Sequence, residues 1–314
     1  MHKLIIISSL VTLPVLCASC AGSKLYTNHL IREGAPAKNA VTVTWLGTAG
    51  ILVSDGRTGI LIDPYVSRFS MGKVFFGSKL KPDMGKIQQT VDRLGKKNIS
   101  LIVVSHTHFD HAADAPYFAG ITGAPVAGTE STLNVCRGAG LPEEQMMLVA
   151  NGQTMKVGAF TICFIESKHG PALFGRVPYP GTIDAPLAQP ARASAYRLGG
   201  VFAIVISHPS GTLVHHGSAG FAPKMYDGIS ADTIFLGIAG RGDTEEYLAE
   251  TALKLKVRTL VPVHFDNFFK PLRGGLPILP NQHIGEFFEK ADAHGSSFTV
   301  KTPPLGEPFP AFWR

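Results

Sequence analysis

The stretch Leu101-Ile-Val-Val-Ser-His-Thr-His-Phe-Asp-His-Ala-Ala-Asp114 decides how the rest of the chain is interpreted. Its apolar run, 101–104, has the length of a buried strand and ends at a polar serine. Four side chains that bind metals follow at once: His106, His108, Asp110 and His111. Imidazole nitrogens and carboxylates are the ligands that zinc and similar divalent ions prefer. The stretch therefore predicts a metal site at the end of a buried strand.

The spacing of these side chains predicts ligands for two neighbouring ions. Alternate residues of an extended segment point the same way, so we expect His106, His108 and Asp110 to converge on one side. His111 would then turn towards a second point. The alternative is a non-specific cluster of surface histidines, but a buried strand followed by this spacing is hard to obtain from composition bias.

The segment Ser105-His-Thr-His-Phe-Asp-His111 resembles the His-x-His-x-Asp-His signature of the metallo-β-lactamase-fold hydrolases. The resemblance extends over roughly residues 41–300, where groups of strands alternate with helices. It implies an α/β (α+β) fold, the four-layer αββα sandwich, in a single hydrolase domain at 40–314. Three strands, Ser194–Leu198, Val201–Ile206 and Thr212–His215, are predicted within its second half.

The resemblance also implies the remaining ligands. His169 follows a predicted strand and precedes Gly-Pro, and it would join His106 and His108 in a three-histidine site with an open position for water. His264 follows a later strand and would complete a second site with Asp110 and His111. The expected cofactor is Zn²⁺, one or two ions, with other divalent transition metals as alternatives.

Two further roles follow from the same resemblance. Asp110 would be the catalytic residue that orients the attacking water or takes its proton, in addition to binding metal. Asp63, in the pair Asp63-Pro64, would hydrogen-bond a ligand histidine, although an Asp before Pro is also a common turn residue.

The segment Gly217-Ser-Ala-Gly220 departs from the family pattern. The family has an Asp here that bridges two metals, whereas this chain has Ser218. A hydroxyl is a poorer zinc ligand than a carboxylate, so the second metal should bind more weakly or be absent. His215 and His216 lie close by as alternative ligands, but adjacent residues of a strand face opposite ways, so the two cannot both point to the site.

The N-terminus has the features of an export signal. A short basic start precedes the apolar run Leu4–Leu16, which is too short to span a membrane. We expect a signal peptide at 1–20 and a tether at 21–39. Small residues before Cys20 are typical of a lipoprotein site, whereas Cys17 is unusual there, so ordinary cleavage remains an alternative. Lipidation of Cys20 would anchor the protein to a membrane on the periplasmic or cell-surface side.

The formal net charge is +6, with no run of Lys or Arg, so no nucleic-acid partner is expected. The segment 65–83 is rich in aromatic residues and would either grip an apolar part of the substrate or pack as a lid. Cys136 and Cys163 are expected to be free thiols rather than a disulfide.

These features together predict a zinc-dependent hydrolase. The expected bond is an ester, lactone or phosphodiester. An amphipathic or lipid-like substrate is favoured, as in the lactonase and N-acyl-phosphatidylethanolamine phospholipase D-like branch that the chain resembles. The alternative is a non-catalytic metal-binding surface lipoprotein that keeps the fold and has lost the bridging carboxylate at Ser218.

Overall fold

The structure, a computed structural model, describes residues 27–32, 36–37, 40–172, 175–272, 276–280 and 282–313. The predicted signal peptide, Cys20 and most of the predicted tether lie outside these ranges. In the described part of the chain, none of the helices has the length and apolar character needed to cross a bilayer.

Two mixed β-sheets of seven strands form the centre of the fold. The strands of the first sheet are β1 (Thr42–Gly47), β2 (Gly50–Ser54), β3 (Gly59–Ile62), β5 (Leu101–Val103), β6 (Val126–Gly128), β7 (Met146–Leu148) and β16 (Pro308–Pro310). Their order is β16-β1-β2-β3-β5-β6-β7. The pairs from β16 to β3 are antiparallel, and those from β3 to β7 are parallel.

The second sheet repeats this plan. Its strands are β8 (Thr154–Val157), β9 (Phe160–Glu166), β11 (Phe202–His208), β12 (Gly211–His216), β13 (Thr233–Gly237), β14 (Thr259–Val263) and β15 (Thr299–Val300). They are ordered β15-β14-β13-β12-β11-β9-β8, antiparallel from β8 to β12 and parallel from β12 to β15. A separate antiparallel pair joins β4 (Lys79–Leu80) to β10 (Ala191–Arg192).

Helices flank the sheets. The described α-helices are α1 (Met71–Phe75), α2 (Met84–Leu94), α3 (Phe109–Ala112), α4 (Ala115–Thr122), α5 (Glu130–Gly138), α6 (Thr244–Leu248) and α7 (Ile284–Ala293). Helix α6 continues as a π-helix, Ala249–Leu253, and short 3₁₀ turns lie at Lys96–Asn98, Glu143–Gln145 and Ala193–Ala195.

The apolar run of β5 shows how the layers form. Leu101 and Val103 pack in the core that joins the two sheets, whereas Ile102 and Val104 pack on the opposite face of the first sheet, in the core shared with α2, α4 and α5. A strand buried on both faces needs apolar side chains at every position, which is why the run is continuous. Helices α6 and α7 pack in the core on the second sheet's side. The predicted αββα sandwich is confirmed.

The predicted strand Ser194–Leu198 is wrong. Its first residues form a 3₁₀ turn, and the main chain that follows is bonded to the metal-binding loop instead of a sheet. The Thr107 amide donates to the carbonyl of Leu198 at 3.0 Å, and the Thr107 hydroxyl donates to the carbonyl of Arg197. Those bonds occupy the carbonyls that a strand ladder would use. Cys136 and Cys163 are free thiols.

Candidate metal centre

The predicted ligands lie in loops that leave the carboxyl ends of strands from both sheets. These strands point in a common direction within each sheet, so their ends meet at one edge of the sandwich. The residues that follow them are Asp63 after β3, His106 after β5, His169 after β9, Ser218 after β12 and His264 after β14.

The first cluster contains three histidines. One nitrogen from each of His106, His108 and His169 lies within 4.8 Å of the other two. His108 Nδ1 faces His169 Nε2 at 3.2 Å, and His106 Nε2 is buried without a hydrogen-bond partner among the described residues. The structure brings His169 to His106 and His108, although it lies 61 positions after His108 in the sequence.

The outer nitrogens of this cluster fix which ring atom points inward. His108 Nε2 donates to the carbonyl of Pro178 at 2.9 Å, and His169 Nδ1 donates to the carbonyl of Gly170 at 2.7 Å. A ring that donates through one nitrogen keeps a lone pair on the other. The inward atoms are therefore His108 Nδ1 and His169 Nε2, each free to bind a cation.

Burial keeps these rings neutral. It lowers the pKa of His106 well below its usual value, that of His108 to about 3 and that of His169 to about 4, and the neighbouring histidines add to the shift at each ring. Neutral imidazoles are the form that binds metal. Three inward lone pairs without a proton between them repel each other, so the donor set fits a bound divalent cation.

The second cluster contains one carboxylate and two histidines. Asp110 Oδ2 lies 3.2 Å from His264 Nε2 and 3.9 Å from His111 Nε2, and the two imidazole nitrogens are 3.2 Å apart. The ring centroids of His106 and His111 are 3.9 Å apart, so the two clusters are adjacent. Burial raises the pKa of Asp110, but the combined attraction of the nearby histidines brings it well below its usual range.

Asp63 lies behind the second cluster with no exposed surface. It accepts hydrogen bonds from the Ser105 amide at 2.7 Å, the Ser105 hydroxyl at 2.6 Å and His111 Nδ1 at 2.8 Å. Burial opposes its charge, yet these contacts lower its pKa below the usual value. The same carboxylate, with that of Asp110, raises the pKa of His111 in spite of burial. Asp63 thus fixes the ring of His111 with Nε2 inward, which is the predicted contact.

The expectation that Asp110 converges with His106 and His108 is wrong. The chain is extended only as far as His108, which is the N-cap of α3, and Asp110 and His111 lie on that helix. Consecutive helical residues are about 100° apart around the axis, so both can turn towards His264. The grouping implied by the family resemblance is the one in the structure.

Ser218 occupies the position where the family has a bridging Asp. Its side chain is buried, and its hydroxyl has no hydrogen-bond partner among the described residues. His216 bonds Tyr226 Oη and the carbonyl of Gly220, both at 2.6 Å, so neither nitrogen is free for metal. His215 donates through Nε2 to the carbonyl of Ala49 at 2.8 Å. Neither histidine belongs to a ligand cluster.

Sequence reasoning missed a buried ion pair beside His264. Arg68 bonds Asp266, and Asp266 accepts the amide of Thr48 at 2.7 Å. The carbonyl of Thr48 in turn accepts the amide of His264 at 2.8 Å. Asp266, two residues after a ligand histidine, was a possible signal, but nothing in the pattern identified Arg68 as its partner.

Four non-glycine residues of this region have left-handed backbone conformations. They are Thr48, Asp63, Arg68 and His264, with φ between 46° and 57°. Each costs about 1 kcal/mol or more relative to an ordinary conformation. The surrounding hydrogen bonds hold the chain in these conformations, and they direct the side chains of Asp63 and His264 to the cluster.

The aromatic segment divides into a buried and an exposed part. Phe69 packs against Tyr65 and Phe109 with centroid distances of 5.8 and 6.3 Å. Phe75 and Phe76 are more than 80% exposed. The first part packs on the core beneath the metal-binding loop, and the second part packs on nothing in the described chain.

Comparisons with known proteins agree with this geometry. The family model of the metallo-beta-lactamase superfamily matches residues 43–264. A UPF0173 metal-dependent hydrolase of Pyrobaculum islandicum is 29% identical over 239 residues, which cover 72% of this chain and 84% of that protein. The solved structure of Igni18, a metallo hydrolase from Ignicoccus hospitalis, has a TM-score of 0.58 at 20% identity and covers 88% of this chain and 100% of its own. The metallo-beta-lactamase fold protein YhfI from Bacillus subtilis has a TM-score of 0.55 at 15% identity, with 86% and 99% covered.

Proposed function

The chain belongs to the metallo-beta-lactamase superfamily and is a metal-dependent hydrolase, and we propose that its metal is zinc and that it cleaves an ester, lactone or phosphodiester bond. The observation that carries this proposal is the convergence of one nitrogen from each of three histidines, two buried and one half-buried, next to a buried carboxylate. The other ring nitrogens of His108 and His169 bond main-chain carbonyls. Histidine nitrogens with one carboxylate favour zinc over calcium or magnesium, which prefer oxygen ligands.

The proposed ligands are His106, His108 and His169 for the first ion, and Asp110, His111 and His264 for a second. A divalent ion held there lowers the pKa of a coordinated water to about 7 and polarises the bond to be cleaved. The protein's own groups then orient the water and accept its proton.

Asp110 is the proposed proton acceptor. Its low pKa keeps it ionised across the neutral range, and its contact with His264 fixes the carboxylate in one orientation. Asp63 holds His111 through Nδ1 and so keeps the other ring nitrogen, Nε2, 3.9 Å from Asp110 Oδ2. Proton transfer to a positioned group of this kind contributes about 10²–10⁴-fold to a rate.

An amphipathic substrate is the proposed class, as in the lactonase and N-acyl-phosphatidylethanolamine phospholipase D-like branch. Support comes from aromatic side chains beside the second cluster. The ring of Phe268 lies 5.2 Å from that of His264 and contacts Phe269 at 4.2 Å, and both phenylalanines also neighbour Phe109. An apolar group of the substrate can pack there while its polar bond faces the ligands.

The test is a His108→Ala variant with His294→Ala as its control, because His294 is a surface residue that pairs with Glu245. Elemental analysis measures bound metal, and p-nitrophenyl esters, a γ-lactone and bis-p-nitrophenyl phosphate report hydrolysis. We expect His108→Ala to fold, to lose about one ion per chain and to lose at least 10³-fold of the activity. Retention of full turnover without that ion would contradict the proposal.

A non-catalytic metal-binding lipoprotein is the second candidate, and the buried Ser218 hydroxyl without a partner is its observation. A protein of this kind would bind the metal and hydrolyse none of the three substrate classes. The Pyrobaculum islandicum relative compared above carries the name of a metal-dependent hydrolase, which favours the enzyme.

We also propose that the protein is exported and anchored to a membrane through Cys20. Support comes from the apolar run Leu4–Leu16 and the small residues that precede this cysteine. Metabolic labelling with a fatty-acid probe should mark the unaltered chain and leave a Cys20→Ser variant unmarked. An unmarked chain of mature length would instead indicate ordinary signal-peptide cleavage.

A further inference from the structure

Helix α1 and the residue after it form an exposed apolar surface. Phe75 is 81% exposed, Phe76 83% and Met71 50%, and no residue of the helix is buried. The two phenylalanine rings contact each other edge to face at 5.6 Å. Adjacent large aromatic side chains in water are a marker of an interaction surface.

A helix cap and backbone hydrogen bonds hold Phe75 and Phe76 in their exposed positions. Ser70 caps α1 by accepting the Lys73 amide at 3.4 Å, and the Ser78 amide donates to the carbonyl of Lys73 at 2.9 Å. Strand β4, which follows, pairs with β10. The helix is therefore fixed at both ends, and its aromatic side chains project from a defined position.

A cationic cavity lies beside this helix. It has a volume of about 500 Å³, and Lys79, Arg192 and Arg197 line it together with the hydroxyls of Thr182 and Ser194. None of the described residues that line it is acidic, and within the described chain the three cations form no ion pair. Three unpaired cations around one cavity favour an anionic ligand.

The apolar helix and the cavity are adjacent along the chain and are joined through strand β4. Phe76 precedes Lys79 by three positions, and Lys79 pairs with Arg192 across the two strands. Lys73, on the helix itself, is a further exposed cation. Aromatic side chains that project beyond a ring of Lys and Arg match the boundary between acyl chains and phosphate headgroups.

This surface is linked to the metal centre through the main chain. The carbonyl of Arg197 accepts the Thr107 hydroxyl, between two ligand histidines. The Leu198 amide donates to the carbonyl of Tyr179, and the neighbouring carbonyl of Pro178 accepts His108 Nε2. The segment that carries the cavity's arginines thus also supports the first ligand cluster.

We propose that this surface docks on a bilayer of anionic phospholipid. Phe75 and Phe76 enter the acyl boundary, and Lys79, Arg192 and Arg197 bind the phosphate of a headgroup. Docking of this kind is separate from both the anchor at Cys20 and hydrolysis. A peptide groove would be concave, whereas these phenylalanines protrude.

The test places a fluorophore on the surface of the full chain. A Phe76→Trp variant is mixed with vesicles of phosphatidylglycerol whose acyl chains carry bromine, which quenches tryptophan only within the bilayer. The matched control is Leu148→Trp, because Leu148 is also an exposed apolar residue, at 57%, on the edge strand β7. The chain has two native tryptophans, Trp45, which is fully buried, and Trp313, which is half-buried, and both contribute the same background to both variants.

We expect quenching of Phe76→Trp and none of Leu148→Trp. Adding Phe75→Ser should weaken vesicle binding about tenfold, since a phenylalanine leaves the apolar phase. Replacing Arg192 and Arg197 by Gln should weaken it about fivefold for each cation. The exposed pair Arg57→Gln and Lys156→Gln is the control for net charge and should change binding less.

Three results would overturn the proposal. Quenching of Phe76→Trp that does not exceed that of Leu148→Trp, including no quenching of either, would mean that this surface is not the part of the chain that enters the bilayer. Equal binding to phosphatidylcholine vesicles would remove the role of the cations. A Phe76→Trp emission that is shifted to the blue without vesicles and returns on dilution would assign the surface to a second copy of the chain.

Discussion

The two ligand clusters lie side by side, yet they are stabilised in different ways. The outer nitrogens of His108 and His169 bond main-chain carbonyls, and burial keeps those rings neutral. In the second cluster Asp110 and Asp63 place two buried carboxylates around His111, whose pKa is raised. The first cluster is a neutral set of lone pairs and the second a network of charges.

The difference teaches how each cluster depends on metal. Without a cation, the inward nitrogens of the first cluster face one another with no attraction between them. The second cluster keeps attractive contacts without metal, because the Asp110 carboxylate lies 3.2 Å from His264 and Asp63 accepts a hydrogen bond from His111 at 2.8 Å. The charged cluster should therefore contribute to folding, whereas the neutral one should serve binding.

Asp63→Asn should give the largest effect on stability. The amide removes a charge and turns a donor towards Ser105 or His111, so the metal-free protein should lose about 3–5 kcal/mol of unfolding free energy. Chemical denaturation in the presence of a chelator measures it.

His106→Gln is the matched change in the neutral cluster. It removes His106 Nε2, which has no hydrogen-bond partner in the described chain. The loss of unfolding free energy in the metal-free protein should therefore be about 1 kcal/mol or less. Equal losses from the two variants would remove the distinction between the clusters.

Arg68→Met should destabilise the metal-free protein by about 3 kcal/mol, because it leaves the buried carboxylate of Asp266 without its cation. The double variant Arg68→Met with Asp266→Leu should recover part of this loss, since no unpaired charge remains. Thermal unfolding of the unaltered protein, the two single variants Arg68→Met and Asp266→Leu, and the double variant completes a double-mutant cycle. The cycle gives the coupling energy between the two residues. A coupling near zero would show that the ion pair does not support the loop of His264.

His216 provides a reference histidine that bonds through both nitrogens outside the clusters. Burial lowers its pKa to about 4, whereas an unfolded histidine has its usual value of 6.5. A depressed pKa means that stability is lost as the pH falls from about 6.5 towards 4, by about 2 kcal/mol at pH 4.5.

The measurement is the unfolding free energy of the unaltered protein and of His216→Gln between pH 7 and 4.5. The variant should lose less stability over that window, whatever its stability at pH 7. Parallel pH profiles for the two proteins would show that His216 is not held neutral by burial.

Ser218→Asp should have the smallest effect, confined to metal binding. A carboxylate at this buried position adds a ligand, so a second ion should bind about tenfold more tightly, or about 1.4 kcal/mol. Elemental analysis should show one tightly bound ion in the unaltered protein and two in the variant. Two tightly bound ions in both proteins would mean that another group already replaces the missing carboxylate.

The candidate ligands His106, His169 and His264 could be identified from the sequence because each follows the end of an apolar strand. The run 101–104 and the histidines after it, with His169 and His264 at later strand ends, identify the edge of the sandwich that the structure places together. The fold was predictable for the same reason, since strands buried on both faces have continuous apolar runs. The signal peptide, the lipid anchor and the domain boundary at residue 40 stay predictions.

The rest depended on contacts that leave no local pattern. The pairing of Arg68 with Asp266 joins residues 198 positions apart, and neither has a neighbour that signals it. Periodicity wrongly extended the chain through Asp110, because a four-residue helix is too short to show a helical repeat. The prediction of a strand at Ser194–Leu198 failed for a different reason. The carbonyl of Arg197 accepts a hydrogen bond from Thr107, which lies in the other half of the chain.

The pairing of β1 with β16 has a consequence for how the protein folds. Val43 lies opposite Phe309, so the edge of the first sheet joins segments from near both ends of the described chain. The chain between β1 and β16 must lose conformational entropy before the contacts between these strands form. We therefore expect slow folding, as in other folds of high contact order. Until synthesis reaches residue 310, β1 presents an unpaired edge, and partly made chains should be open to aggregation through that strand.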